Sequence, residues 1–366
     1  MNEHTGTIVR LLKEAGTHLS GDLIGRECSI SRSAVWKHIR ILRELGYAID
    51  SCRKRGYLLR GTANAPLPWE VSAALTTGRL GRVLEYLEAV DSTNWVAAER
   101  AAAGAPEGTT VVAERQLSGR GRRGRSWISP PGVNLYFSIV LRPRIAPARI
   151  GQLPLVAAVA LHRALSSSAP AVPLLIKWPN DILAEGGGKL AGILCEAGIE
   201  ADVVQHAVVG IGINVNGRTF PPALAGVATS LARESGAEHS RPRILAAVLN
   251  ALEEDYGRWL AGSDLGEFLP YLQEHSALRG KTVAVEGLGG QRVGRVEGIS
   301  AEGELLLRDA AGLTMRICSG DVRIDPQAPP VNRLLKNSSH GQAAQKGPDA
   351  RLANTRGMRR TSRTPQ

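Results

Sequence analysis

The sequence predicts an α+β chain in three structured parts, on three observations. Residues 1–60 show three short helical periods and then a hairpin rich in arginine and lysine. From Val83 to Asp264, strand-like apolar runs and helical periods follow one another without strict alternation, which favours a mixed or antiparallel sheet over a doubly wound one. From Leu278 to Ile324 the chain is strand-like with glycine at its turns.

In the first part, Ile8, Leu11, Leu12 and Ala15 recur at helical spacing, and Gly16 ends that helix. Ser20 suits the cap of a second helix and Ser31 the cap of a third. On the third, Ala34, Val35, Ile39 and Leu42 form an apolar stripe. Arg32, Ser33, Trp36, Lys37 and Arg40 fall on the other side, and Gly46 closes the helix. Two short strands, YAID and GYLLR, then flank SCRKR. This order predicts a winged helix-turn-helix. Ser31, Arg32, Ser33, Trp36, Lys37 and Arg40 would face the major groove, and Arg53, Lys54 and Arg55 would touch phosphates from the wing. The plainer alternative is a small helical domain with a solvated basic face. One such unit reads a half-site, so a homodimer on operator DNA is expected.

Charge supports this division. Residues 1–60 carry 11 Lys+Arg against 6 Asp+Glu, residues 327–366 carry 8 against 1, and the chain's net +11 therefore leaves the middle near neutral. A chain basic at its ends points to nucleic acid there, while the middle needs another explanation. The tail, rich in Pro, Ser, Gln and Arg, is expected to be disordered. Four scattered cysteines without a C-x-x-C pair read as reduced thiols in a cytoplasmic protein, and no His or Cys spacing suggests a metal site. MNEHTGTIVR lacks a signal-peptide pattern, and the longest apolar run, Leu153 to Leu165, is too short to span a membrane.

In the middle, residues 109–114, 133–141, 174–178, 190–197 and 206–215 read as strands, and 94–103, 153–166 and 243–260 as helices. Between the first two strands lies QLSGRGRRGRSW, whose GRGRRG matches the spacing G-x-G-x-x-G. A dinucleotide-binding turn must open a helix, but RSWISPPG follows, and its prolines and glycine forbid one. GGGKL is no phosphate-binding P-loop either, because Leu190 stands where Ser or Thr should be. What remains is a mobile loop of glycines, which let backbone approach a ligand, and arginines, which supply forked donors to phosphate or carboxylate. An exposed RNA-binding arginine patch is the alternative. KWPND (177–181) is good turn chemistry in its own right.

DSTN (91–94), QLSGRGRRGRSW, the N-L-Y of GVNLYFS, KWPND, GGKLAGILCE and GIGINV (210–215) stand in the order found in biotin protein ligases. With its N-terminal winged helix, the chain resembles the bifunctional class that combines a biotin–[carboxyl-carrier-protein] ligase with a biotin operon repressor, over about residues 7–326. The resemblance implies a central mixed-sheet ligase domain of the class II synthetase type and a C-terminal SH3-like β-barrel. The expected division is 1–61 winged helix, 62–82 linker and entry helix, 83–270 catalytic domain, 271–326 barrel and 327–366 tail.

The resemblance further implies that biotin and ATP, with Mg²⁺, give biotinyl-5′-AMP, and that biotin then passes to one lysine of a biotin carboxyl carrier protein. Biotinyl-AMP would serve as corepressor. Ser92, Thr93, Asn94, Gln116, Arg120, Gly121, Arg122 and Lys189 would meet biotin. Arg120, Arg122, Trp127, Lys177, Asn180 and Asn214 would meet ATP or the adenylate. Arg122, Lys189, Lys177 and Asp181 would carry the chemistry, with Asp181 a candidate Mg²⁺ contact. Asp91 or Ser92 can also cap the helix that follows them. A biotin-sensing repressor without ligase activity, and a lipoate ligase, are the alternative functions.

Overall fold

The computed structural model describes residues 3–287 and 290–324. The basic tail expected over 327–366 lies outside the described residues. The N-terminal part holds α1 (Glu3–Ala15), α2 (Gly21–Glu27) and α3 (Arg32–Glu44), then a hairpin of β1 (Ala48–Cys52) and β2 (Gly56–Gly61). Ser20 and Ser31 cap α2 and α3 through side-chain oxygens that accept from Leu23 N and Ala34 N. Val35, Ile39 and Leu42 bury one face of α3 against Ile8, Val9 and Leu12 of α1, while Ala34 is only half-buried.

The segment expected to be a linker is packed. Ala63, Ala65 and Leu67 are buried in the N-terminal core, and Trp69, in α4 (Pro68–Ser72), packs against it. Glu70 ties the two together: it lies 2.7 Å from Lys13 Nζ and accepts the Tyr47 hydroxyl, which itself accepts from Trp69 Nε1 at 2.7 Å. Sequence periodicity cannot show this, because the segment packs through single residues rather than through a repeating face.

The middle of the chain forms a seven-stranded mixed sheet. Its strands are β3 (Leu84–Val90), β4 (Thr110–Gln116), β5 (Leu135–Leu141), β6 (Leu174–Lys177), β7 (Asp181–Ala184), β8 (Lys189–Glu200) and β9 (Val203–Ile213). The order is β3-β4-β5-β9-β8-β7-β6, with β3 and β4 parallel, joined through α5 (Thr93–Ala102), and the other pairs antiparallel. Expected strands appear with shifted ends. β3 was missed because LEYLEAV is a half-exposed edge strand carrying two glutamates. β7 was missed because only a short turn, KWPND, separates it from β6.

The apolar run expected as a helix becomes α6 (Leu153–Ser168), almost wholly buried. It packs on α8 (Arg241–Ala261), which follows the short α7 (Leu231–Ser235). After α9 (Leu269–Glu274) come β10 (Thr282–Gly287), β11 (Gly290–Ile299), β12 (Leu305–Arg308), β13 (Thr314–Ile317) and β14 (Asp321–Arg323). Their order is β13-β12-β11-β10-β14, with every described pair antiparallel. The expected closed barrel is therefore not seen: among the described residues β13 and β14 are the two free edges of an open five-stranded sheet. That sheet shares one apolar core with the central sheet, and Trp178 Nε1 donates to Gly303 O at 2.9 Å to lock the two.

Glu70→Ala should lower stability by roughly 1–3 kcal/mol, because it strands the partly buried Lys13 ammonium and Tyr47 hydroxyl. Glu14→Ala, which removes an exposed pair with Arg10, should cost less than about 0.5 kcal/mol. Urea unfolding compares them; equal midpoints would refute the anchoring role of Glu70.

Candidate active site

Three segments meet on one face of the central sheet. The floor is β8 and β9, where Gly192 lies opposite Gly212 and Leu194 opposite Gly210. Side chains alternate along a strand, so glycines two apart leave one face bare. Asn94 and Trp127 fill that space. A Cβ at Gly210 would fall 1.7 Å from Asn94 Oδ1, and one at Gly212 would fall 2.5 Å from the Trp127 ring. The GIG of GIGINV is thus a flat bed for two side chains.

On one side of the bed is a polar pocket at the start of α5. Gln116 Oε1 accepts from Thr93 N at 2.9 Å and from the Thr93 hydroxyl at 3.2 Å, while its amide donates to Ser129 Oγ at 3.0 Å. Ser138 Oγ lies 2.8 Å from Thr93 Oγ1 and 2.7 Å from Asn94 Oδ1. Asn94 Nδ2 donates to Leu194 O and to Glu196 Oε2. Both donors of Asn94 are therefore used within the protein. Ser92 occupies the N-cap position but makes no side-chain cap bond, so the expected capping role does not hold for it. The residue is buried, and its hydroxyl makes no hydrogen bond among the described residues, which leaves it open to a ligand.

On the other side is a cationic pocket. KWPND turns between β6 and β7, with a cis peptide at Trp178–Pro179. Asn180 is buried: it donates to Ile193 O at 2.7 Å and accepts from Arg122 Nη1 at 3.0 Å. Lys189 Nζ is 2.7 Å from Asp181 Oδ1 and 5.3 Å from the centre of the Trp127 ring. That contact is an ion pair by distance, but its angles do not make a hydrogen bond, and Asp181 Oδ1 is buried without one. Trp127 Nε1 is likewise buried and unpartnered. Among the described residues Arg122 and Lys177 form no ion pair. Burial pushes both below their usual ranges; for Lys177 the charge of Asp181 opposes this and those of Lys189 and Arg125 add to it. Asn214 closes the end of β9, its amide turned toward Lys189 O and Asn134 at 3.4 Å.

The arginine loop bridges the two pockets. It is a tight hairpin, with Gly121 N donating to Arg125 O at 2.7 Å and Trp127 N to Gly119 O at 2.8 Å, and Arg123 takes a left-handed φ of 57° at its tip. Only a three-residue 3-10 turn, Arg122–Gly124, forms there and no α-helix follows it, as the rejection of a dinucleotide turn requires. Arg120 pairs with Glu196, and Arg123 and Arg125 pair with Asp321 of β14.

Family models match three stretches: an HTH domain over residues 5–58, the Biotin/lipoate A/B protein ligase family over 86–214, and a biotin protein ligase C terminal domain over 279–324. The chain is 38% identical to the bifunctional ligase/repressor BirA of Bacillus spizizenii, over 87% of this chain and 97% of that one. The chain belongs to the biotin protein ligase family. It is also 34% identical to the bifunctional ligase/repressor BirA of Escherichia coli, over 67% of this chain and 74% of the relative. A solved biotin protein ligase from Aquifex aeolicus, in complex with biotin and ATP, superposes with a TM-score of 0.58 at 32% identity. The match covers 67% of this chain and all of that one.

As in its bifunctional relatives, the chain couples a helix-turn-helix to the ligase sheet. Arg32, Ser33, Trp36, Lys37 and Arg40 are all exposed on α3, and Arg40 stacks on Trp36 with 5.4 Å to the ring centre. The Ser31 hydroxyl is spent on the helix cap and on Ser33. Arg53, Lys54 and Arg55 are exposed at the hairpin tip, whose strand Arg43 holds through Ile49 O and Ser51 Oγ. Sequence reasoning missed Ser138, Glu196, Asp321 and the glycine bed. Only the bed left a readable signal, glycine at alternate positions of a strand.

Gly210→Ala should displace Asn94 and cost about 1–3 kcal/mol of overpacking at the site. We expect biotin affinity to fall at least ~10-fold, while Gly151→Ala, whose Cβ meets nothing within 4 Å, leaves it unchanged. Equal affinities by calorimetric titration would show that the bed does not shape the pocket.

Proposed function

We propose that the chain is a biotin–protein ligase that makes biotinyl-5′-AMP from biotin and ATP, transfers biotin to a lysine of a carboxylase carrier protein, and represses transcription through its N-terminal domain. The carrying observation is a pair of half-buried cations, Arg122 and Lys177, beside a pocket lined by the buried Ser92; among the described residues neither cation has an ion-pair partner and the Ser92 hydroxyl makes no hydrogen bond. The relatives' names, and the biotin and ATP bound in the Aquifex aeolicus enzyme, support the same substrates.

The biotin ring is read by Ser92, Thr93 and Gln116, with Asn94 fixing the pocket from beneath. Arg120 and Gly121 close over the valeryl chain. In the first step the biotin carboxylate oxygen attacks the α-phosphorus of ATP and pyrophosphate leaves. Two anions must meet, and Arg122, Lys189 and Lys177 lower that repulsion in a desolvated site. Trp127 and Asn180 shape the adenylate side, and Asn214 positions the Lys189 backbone. In the second step the carrier's lysine amine attacks the biotinyl carbonyl and AMP leaves. Both nucleophiles belong to substrates, so the protein supplies placement and charge.

Mg²⁺ fits this site in part. The buried Asp181 Oδ1 is a hard oxygen ligand without a hydrogen-bond donor, and no cluster of three or more His, Cys, Asp or Glu able to hold a metal occurs among the described residues. Mg²⁺ would therefore be held by Asp181 together with the phosphates, where it supplies charge neutralisation. A cytoplasmic location and a homodimer on operator DNA complete the proposal; no described helix is long and apolar enough to cross a membrane. The exposed bases of α3 and the hairpin tip support a groove contact by Arg32, Trp36, Lys37 and Arg40 and phosphate contacts by Arg53, Lys54 and Arg55.

With labelled biotin, MgATP and a carrier domain, wild type should label the carrier. Lys189→Ala should lose most adenylation, roughly 10²-fold or more, with its melting curve retained. Adenylation of lipoate but not biotin would overturn the substrate assignment. Separately, Lys37→Ala with Arg40→Ala should weaken operator binding in fluorescence anisotropy, and Arg53→Ala with Lys54→Ala should reduce its salt slope by about 2, both leaving carrier labelling intact. An unchanged slope would contradict the DNA-contact assignment.

A further inference from the structure

The four arginines of the loop do not have the same surroundings. Arg120 Nη2 donates to Glu196 Oε1, and the other oxygen of that carboxylate accepts from Asn94 Nδ2 at 2.8 Å. One side chain of β8 therefore joins the loop's first arginine to the floor of the polar pocket. At the far end, Arg123 Nη1 donates to Glu286 O at 2.8 Å and lies 3.3 Å from Asp321 Oδ2, which also takes Arg125 Nη2. The loop's last two arginines are thus held by the C-terminal sheet. Arg122, between them, pairs with no carboxylate among the described residues. It donates to the neutral Asn180 Oδ1 at 3.0 Å and is turned into the cationic pocket.

We propose that Glu196 and Asp321 are two clamps that hold the arginine loop closed from opposite sides, acting on the ligation reaction only by aiming Arg122 and retaining the adenylate. The proposal rests on the reading of this loop as a lid over biotinyl-AMP. The physical case is one of charge. Four like charges in seven residues repel one another and favour an open, hydrated loop. Two carboxylates, one at each end, pair with three of the four arginines, lower the repulsion among them and leave the inward one for a substrate anion. Neither carboxylate would touch substrate, so both are positioning residues. A loop with three glycines loses much conformational freedom on closing, and fixing both ends lets that cost be met before the phosphate arrives. The left-handed Arg123 at the tip fits the same division: the strained residue is the one gripped twice, by Glu286 O and Asp321.

The test uses the full-length chain with biotin and MgATP. Two readouts are followed in wild type, Glu196→Ala, Asp321→Ala and the double variant. One is trypsin cleavage between Arg120 and Arg125. The other is the escape of labelled biotinyl-AMP into solution relative to its transfer to a carrier domain. We expect each single variant to be cut ~10-fold faster and to leak adenylate several-fold more. Glu196→Gln should fall between Glu196→Ala and wild type, because its amide oxygen still accepts from Asn94. Unchanged melting curves would separate these effects from loss of fold, and a melting midpoint that falls in step with the leakage would instead assign both carboxylates a merely structural role. Wild-type protection and leakage in both single variants would overturn the clamps and leave the lid standing. Failure of biotin and MgATP to protect wild type would overturn the lid itself.

Discussion

Everything in the catalytic half is arranged around cations held partly out of water. Among the described residues Arg122 and Lys177 have no ion-pair partner, and the third cation, Lys189, pairs with Asp181. Such an arrangement is costly in an empty site, since desolvation disfavours the charged forms, as the depressed Arg122 and Lys177 show. A fold tolerates that cost only where its surroundings are rigid. Here the supports are the β6–β7 turn, the first residue of β8 and a loop tied at both ends. The phosphate of an adenylate supplies the missing counter-charge, so binding and catalysis draw on the same imbalance.

The glycine bed on β8 and β9 connects that charge to the biotin pocket. It lets Trp127 lie flat beneath Lys189 and lets Asn94 reach Glu196, so the two pockets share one floor. The C-terminal sheet enters for the same reason: Trp178 and Gly303 lock it to KWPND, and Asp321 reaches back to the loop. An open five-stranded sheet suffices for this, because its β10–β14 edge brings Glu286 and Asp321 to the loop and its β11–β12 turn brings Gly303 to KWPND. At the other end of the chain, Glu70 and Leu67 make the junction a packed joint.

Much of this was legible because each motif carries its own local chemistry. Ser20 and Ser31 announced their helices by capping, and the stripe of Val35, Ile39 and Leu42 announced the face that α3 buries. Of the residues named from motif order, Arg122, Lys177, Asp181 and Lys189 gather about the KWPND turn, while Gln116 lies across the bed in the polar pocket. What stayed hidden depends on distant pairing. Asp321 is an ordinary acid in an ordinary strand until β14 is set beside β10 and faces Arg125, almost 200 residues earlier. Glu196 closed a quoted motif but drew no role, because its partners come from α5 and the loop. Asn94 looked like a ligand donor, yet its amide is spent on the protein. Ser92 looked like a cap, yet its hydroxyl makes no cap bond and no other hydrogen bond among the described residues.

The account stands on where an adenylate's phosphate sits. A crystal structure of the full chain with a non-hydrolysable biotinyl-adenylate would show this directly. The phosphate is predicted to lie within hydrogen-bonding reach of Arg122, Lys177 and Lys189, with Lys189 drawn away from Asp181 and the arginine loop still held by Glu196 and Asp321. A phosphate facing solvent, with the Lys189–Asp181 pair intact and Arg122 still bound only to Asn180, would contradict it.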